Sequence, residues 1–200
     1  MAIYPGFHYY FNWAKERLDE MDATLTLLEG KTAELNAAAR EKTGQVLADL
    51  RKMSDEFRDT VNKQAAANED AWKSVKAQLE SEWTAFQAEL SKNVASFGKQ
   101  IEQQQAIFQR QADAQMKAWR EASDQLGATA QSFAAERRAE IEAVVKRMEA
   151  EATQAEERLR KFNQAGTESW SALMTALGET RSAFDRANEA AQEALRKAAA

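Results

Sequence analysis

Residues 50–119 read LRKMSDEFRDTVNKQAAANEDAWKSVKAQLESEWTAFQAELSKNVASFGKQIEQQQAIFQRQADAQMKAW, and the spacing of the large side chains in this stretch decides the fold. Steps of 3, 4 and 4 residues from Leu50 land on Met53, Phe57, Val61, Gln64, Asn68, Trp72, Val75, Leu79, Trp83, Phe86, Leu90, Val94, Phe97, Ile101, Gln105, Phe108, Ala112, Met116 and Trp119. Only Gln64, Asn68 and Gln105 on that line are polar, and Ile107 is the one large apolar residue off it. A strand alternates every second residue and cannot produce this rhythm, whereas one face of a helix does. The step sums to an 11-residue repeat, seen in Val75, Phe86, Phe97, Phe108 and Trp119. Eleven residues in three turns is ~3.67 per turn, so the seam winds straight or gently right-handed rather than as a heptad coil.

Outward from this seam the rhythm changes to heptads. On the C-terminal side, Ile141, Val145, Met148, Ala152, Ala155, Leu159 and Phe162 follow a 4-3 spacing. The link between the two, residues 122–132, has few charges and contains Gly127; it reads as a weak patch in a continuous helix, with a hairpin bend as the alternative. On the N-terminal side, Phe7, Phe11, Ala14, Leu18, Met21, Leu25 and Leu28 make a heptad line, with Tyr9, Tyr10, Trp13 and Leu27 beside it. This wider apolar surface makes Phe7, Tyr10, Phe11 and Trp13 candidates for docking another element. Pro5 and Gly6 mark a short leader, Gly30 a helix stop and Thr32 an N-cap. Asn163 to Thr167, with Gly166, marks a second break, followed by Trp170, Leu173, Leu177, Phe184, Ala191 and Leu195.

The expected organisation is therefore an aromatic-rich helix over 1–29, a hinge or weakly packed stretch over 30–45, a long helix over 46–162 and a C-terminal helix over 167–200. The expected fold class is all-α: an elongated coiled coil or long helical bundle, with a central 3-4-4 repeat flanked by heptads. As one helix, 46–162 would span roughly 175 Å at about 1.5 Å per residue. Each large side chain buried contributes about 1.5–3 kcal/mol, so a seam of this length left in water is not credible. The cover is another copy, the chain's own helices or a lipid-like surface.

Composition agrees with a helical chain. Seven Gly and one Pro leave little turn chemistry, while five Trp and nine Phe set it apart from a disordered acidic segment. Acids stand four residues before bases at Asp59–Lys63, Glu69–Lys73, Asp113–Lys117, Glu142–Lys146, Glu156–Arg160, Glu157–Lys161 and Glu193–Lys197, the pattern of a solvated helix face. The seam is narrow, which favours helix–helix packing over a lipid surface, where a broad apolar face is needed. The polar positions Gln64, Asn68 and Gln105 read either as register-setting layers or as tolerated defects. Trp72, Trp83 and Trp119 are bulky for a tight parallel dimer and suit a wider core; the alternative for them is a hot spot for another protein.

Chemistry is hard to place in this sequence. His8 is the only histidine and there is no Cys, so neither a two-histidine metal site nor a thiolate can form within one chain. GxxxxGK[ST], GxGxxG and ExxH do not occur. Glu140, Glu142, Glu149 and Glu151 read as solvated carboxylates, and His8, among Phe7, Tyr9 and Tyr10, as a packing residue. No catalytic, cofactor-binding or metal residue is assigned. The net charge of -5 is well mixed, and Arg137 and Arg138 sit between Glu136 and Glu140, so no basic stripe for nucleic acid exists. No stretch has the ~20 apolar residues of a membrane span. With no Cys and no signal-peptide pattern, the expected location is cytoplasmic.

The 11-residue amphipathic rhythm of Val75, Phe86, Phe97, Phe108 and Trp119 resembles that of exchangeable apolipoproteins, although their repeats are punctuated by Pro and none follows Pro5 here. The Ala-rich, cysteine-free character resembles phasins, which coat polyester granules. What these resemblances imply is a coat on a lipid or polymer surface, and no residue role is carried over. The sequence reading itself favours a non-enzymatic structural or interaction protein: a coiled-coil rod, scaffold or spacer that forms a homo-oligomer through the central seam. A protein partner would dock through the N-terminal or C-terminal helix.

Overall fold

The computed structural model describes residues 8–64, 67–97, 100–165 and 169–200. Among these the chain is an all-helical bundle protein without strands. In order, α1 spans Tyr9–Glu34, α2 Ala37–Gln64, α3 Glu69–Asn93, α4 Gln100–Ala130, α5 Ala135–Ala165 and α6 Trp170–Ala199. A 3-10 turn, Val94–Phe97, extends α3.

The helix ends correct the expected organisation. Residues 46–162 are not one helix but are divided among α2, α3, α4 and α5. Gly30 does not stop α1, which continues to Glu34; a Cβ added at Gly30 would meet nothing within 4 Å. Thr32 is not an N-cap. Its buried hydroxyl donates to the Leu28 carbonyl at 2.8 Å inside α1. The cap of α2 is Asn36, whose Oδ1 accepts from the Ala39 amide at 3.0 Å. Asn68 is likewise a cap rather than a polar seam layer: it is exposed and accepts from the Ala71 amide at 2.9 Å. The 30–45 hinge reduces to a break at Leu35 and Asn36, since α2 begins at Ala37. The favoured continuity across 122–132 also fails. Helix α4 passes through Gly127 to Ala130, and a turn over residues 131–134 follows. Arg120 then meets Glu156 at 3.4 Å, so α5 folds back along α4. The predicted break at 163–167 falls partly on residues 166–168, outside the described set; α5 reaches Ala165 and Ser169 caps α6.

Two of these breaks lack Gly and Pro and use the same substitute. The last carbonyls of a helix have no partner in their own helix. Arg40 reaches back from α2 and donates to the carbonyls of Ala33 at 3.1 Å and Leu35 at 3.0 Å. Arg138 does the same from α5, to Gln131 at 3.4 Å and Phe133 at 3.1 Å. Both guanidiniums therefore clasp the end of the preceding helix.

The shared clasp reveals an internal repeat. At the interval that separates Arg40 from Arg138, Met21 corresponds to Trp119, Leu28 to Leu126, Val46 to Val144, Leu50 to Met148, Phe57 to Ala155 and Val61 to Leu159, and both members of every pair are buried. In α3 and α6 the interval is three residues longer, because α5 has 31 residues where α2 has 28. There Trp72 corresponds to Leu173, Trp83 to Phe184, Phe86 to Ala187, Leu90 to Ala191, Val94 to Leu195 and Phe97 to Ala198, again buried in pairs. The chain is thus a three-helix pattern written twice, as α1–α3 and α4–α6.

The helices form two compact units, whose boundary falls inside α1 and inside α4. One unit is Arg17–Ala114. Its core is built from Met21, Leu25 and Leu28 of α1, the inner faces of α2 and α3, and Ile107 and Phe108 of α4. The other unit is Met1–Glu16 with Gln115–Ala200. It is built around Trp13 of α1, Trp119 and Leu126 of α4, Ile141 and Met148 of α5, and Leu177, Phe184 and Leu195 of α6.

Candidate interaction surfaces

The seam residues are placed inside the chain. In the Arg17–Ala114 unit, Leu50, Phe57, Val61, Trp72, Leu79, Trp83, Phe86, Leu90, Val94, Phe97 and Phe108 are buried, and Met53 and Val75 are half-buried. In the other unit Met116 and Trp119 are buried. The side chain of Ile101 lies outside the described set. Trp83 stacks on Phe86 with ring centroids 6.1 Å apart, and Trp119 packs on Phe184 at 5.3 Å. Of the three covers that the sequence leaves open, the chain's own helices are the one present. The seam therefore does not by itself require a second copy.

The candidate docking cluster is corrected in the same way. Tyr10 and Trp13 are core residues, Trp13 being 1% exposed, and cannot meet another protein unless α1 separates from its neighbours. Phe11 is half-buried, and Phe7 lies outside the described set. His8 acts locally: its Nδ1 accepts from the Phe11 amide at 3.2 Å and caps α1.

Sequence reasoning missed the buried polar residues. Asn12 and Glu16 of α1 point into the second unit, where Asn12 donates to the Asn188 Oδ1 at 3.4 Å and Glu16 faces Arg181 at 3.9 Å. Gln115 donates to the Leu177 carbonyl at 3.1 Å. In the Arg17–Ala114 unit, Gln111 donates to the Thr24 hydroxyl at 3.1 Å, and Gln103 and Glu20 are also buried. The signal that could have found them is the four-residue spacing Asn12, Glu16, Glu20, Thr24, a second polar line on α1 beside Lys15, Asp19, Asp22, Thr26 and Glu29. Buried polar groups are tolerated when hydrogen-bonded, and Asn12, Gln111 and Gln115 bond to helices distant in sequence. Their chemistry is that of register locks: a helix that slides or rotates leaves both members unmatched.

Two carboxylates nearer the surface have shifted protonation. Burial pushes Asp22 up from its ordinary value, and the Arg58 guanidinium 2.6 Å away offsets only part of the rise. Burial also pushes Glu121 up, but the Lys15 ammonium at 2.7 Å, with Lys117, outweighs it and holds Glu121 below the usual carboxylate value. Among the expected four-residue pairs, Glu69–Lys73 closes at 3.2 Å and Glu193–Lys197 at 3.6 Å, whereas Lys117 turns forward to Glu121 at 3.7 Å.

Grooves lined by described residues open on the surface of the second unit. One, of about 210 Å³, lies between α4 and α5 beside Trp119, Asp124 and Glu156. The larger, of about 450 Å³, runs between α5 and α6, with Val144, Met148 and Ala187 lining it beside Arg147, Arg158 and Arg186. Among the described residues no group of three or more His, Cys, Asp or Glu is placed to hold a metal ion, and no helix is long and apolar enough to cross a membrane. Comparison of the chain with protein-family models, with curated proteins and with solved structures finds no match.

Proposed function

We propose that this is a structural or interaction protein that acts through the outer faces of its helices and associates with itself. The observation that supports this reading most is how the interior polar groups are used. Asn12 with Asn188, Glu16 with Arg181, Gln115 with the Leu177 carbonyl and Gln111 with Thr24 each tie two helices together. They fix the packing of helices rather than converge on an open cavity where a substrate would sit. The large apolar side chains are likewise used in the core. What such a molecule offers to others is a set of rigid helix faces with alternating charge. The experiment is static light scattering over a concentration series. A mass above that of one chain, falling on dilution, is the expected result; the mass of one chain at every concentration contradicts the reading.

A second reading is favoured by one specific observation. The Leu50–Trp119 seam is divided among amphipathic helices whose apolar faces turn inward, and its core includes Gln103 and Gln111, each with a buried amide oxygen that has no hydrogen-bond partner among the described residues. An unmatched buried polar atom costs about 1–3 kcal/mol, so such a core gives up its packing more readily than a wholly apolar one. Opened on an apolar surface, the helices would coat it. Circular dichroism and sedimentation with oil droplets or polyester particles test this: adsorption with retained helix supports it, and protein left in the supernatant contradicts it.

A further inference from the structure

The groove between α5 and α6 is basic in a chain whose net charge is -5. Arg147 and Arg158 rise from α5 and Arg186 from α6; all three are exposed, and none forms an ion pair with a described residue. One acid, Glu151, shares the lining. The three guanidiniums stand around an apolar floor of Val144, Met148 and Ala187. The floor extends from Val144 to Arg158 along α5, about 20 Å at 1.5 Å per residue, which suits a helix face better than a small ion.

The internal repeat says what such a face looks like. Of the α2 and α3 positions that correspond to the groove lining, Asp49, Glu56, Glu82 and Glu89 are acidic and none is basic, although Thr60 and Ala85 hold the places of Arg158 and Arg186. Asp49 stands where Arg147 does, and Glu82 and Glu89 stand where Ala183 and Ala190 line the groove. Phe86, fully buried, occupies in α3 the place that Ala187 holds in α6, so the bulk that fills the first half is missing from the second. Two copies of one architectural surface thus differ in sign and in fullness. Asp49 is exposed and Glu82 and Glu89 half-buried, and the Glu89–Lys92 pair is loose, at 3.7 Å.

We infer that the basic α5–α6 groove receives the acidic α2–α3 face of a second copy of this chain. The inference rests on the self-association proposed above and names its surfaces. The contact is heterologous, one patch meeting a different one, so each added copy presents a further groove and a further face. Because charge drives it, association weakens with salt. From about 0.1 M to about 1 M the screening length falls from ~10 Å to ~3 Å.

The test is a charge exchange followed by analytical ultracentrifugation at low salt. One variant carries Arg147→Glu, Arg158→Glu and Arg186→Glu; the other carries Asp49→Lys, Glu82→Lys and Glu89→Lys. Circular dichroism first establishes that both are folded. Wild type assembles and is driven toward single chains by high salt. Each variant alone associates at least tenfold more weakly, because its groove and its face now share a sign. An equimolar mixture regains assembly, because the native face of the first variant meets the native groove of the second. A triple-arginine variant that assembles like wild type, or a mixture that stays dissociated, overturns the groove assignment while leaving self-association standing. Wild type that remains a single chain overturns both. If that single chain binds an acidic amphipathic peptide or anionic phospholipid vesicles, and the triple-arginine variant does not, the groove has a different occupant and the second copy is rejected.

Discussion

The two three-helix halves solve one packing problem with different side chains. In α3 and the turn that extends it the buried face carries Trp72, Trp83, Phe86, Leu90 and Phe97; at the same positions α6 carries Leu173, Phe184, Ala187, Ala191 and Ala198. The unit that holds α6 carries large rings elsewhere, with Trp13 and Trp119 in the core, while Ala187 lines the open α5–α6 groove. Even the ion pair between neighbouring helices is kept with its charges exchanged, Asp22–Arg58 in the first half and Arg120–Glu156 in the second. What persists between the halves is which positions are buried and where helices end. What varies is volume and sign, so the pattern of burial specifies this architecture more strongly than any individual side chain does.

The comparison can be broken first at the aromatic face. Phe86→Ala removes a fully buried ring and is expected to cost about 3–5 kcal/mol. Its counterpart already is alanine, and Ala187→Gly should cost only about 1 kcal/mol, mostly as helix propensity. Chemical denaturation of the two variants reads the difference; equal losses would mean that Phe86 is not core. Next in size is the buried ion pair Glu16–Arg181, whose corresponding positions in the Arg17–Ala114 unit are Ala114 and Glu80. Glu16→Ala leaves Arg181, 13% exposed, facing an empty acceptor position and should cost about 3 kcal/mol. Restoration of stability in the Glu16→Ala, Arg181→Met double variant would sharpen this, because replacing both members also removes the charge that faced Glu16.

The helix clasps come third. Arg40→Ala and Arg138→Ala should each cost about 1 kcal/mol, a net hydrogen-bond contribution at an exposed and a half-buried site. Similar losses support equivalent roles; a loss at one site alone breaks the correspondence. The smallest effect is on pH dependence. Glu121 has a folded pKa below its reference of 4.5, so its contribution is present above that value and is lost as pH falls through the folded pKa. Asp22 has a folded pKa above its reference of 3.8, so protonation favours the folded form and its contribution improves as pH falls. Lys15→Ala should therefore lower stability at neutral pH, and the gap to wild type should close on acidification below about pH 4. A gap that widens in acid contradicts the assignment of Lys15 as the group that holds Glu121 down.

Helical class was legible because Trp72, Leu79, Trp83, Phe86 and Leu90 mark a buried helix face by spacing alone. Helix ends were not, since the usual punctuation misleads in this chain. Gly30 is exposed and Gly127 half-buried within helices, with open space where a Cβ would stand, so each is merely a modest cost to its helix. The actual ends depend on Asn36, Asn68, Arg40 and Arg138, polar residues that also suit a solvated face. Gln64 and Asn68 fall at a helix boundary, which is why the seam lapses there. The repeat was hidden because burial is shared while identity is not; Leu28 with Leu126 and Val46 with Val144 are among the few matching apolar pairs. Glu16 and Glu20 resemble solvent-facing acids by type, and only their packing partners reveal otherwise.

The central claim, that the aromatic seam is covered by helices of its own chain, is tested most directly by tryptophan quenching on dilution. Iodide or acrylamide quenching of Trp13, Trp72, Trp83 and Trp119 is measured in a Trp170→Phe variant, which removes the half-buried fifth tryptophan, from concentrations where the protein associates down to those where light scattering gives one chain. The account predicts the same low quenching throughout, because no second molecule covers these rings. Quenching that rises as the mass falls to one chain would show that the seam was covered from outside, and would contradict it.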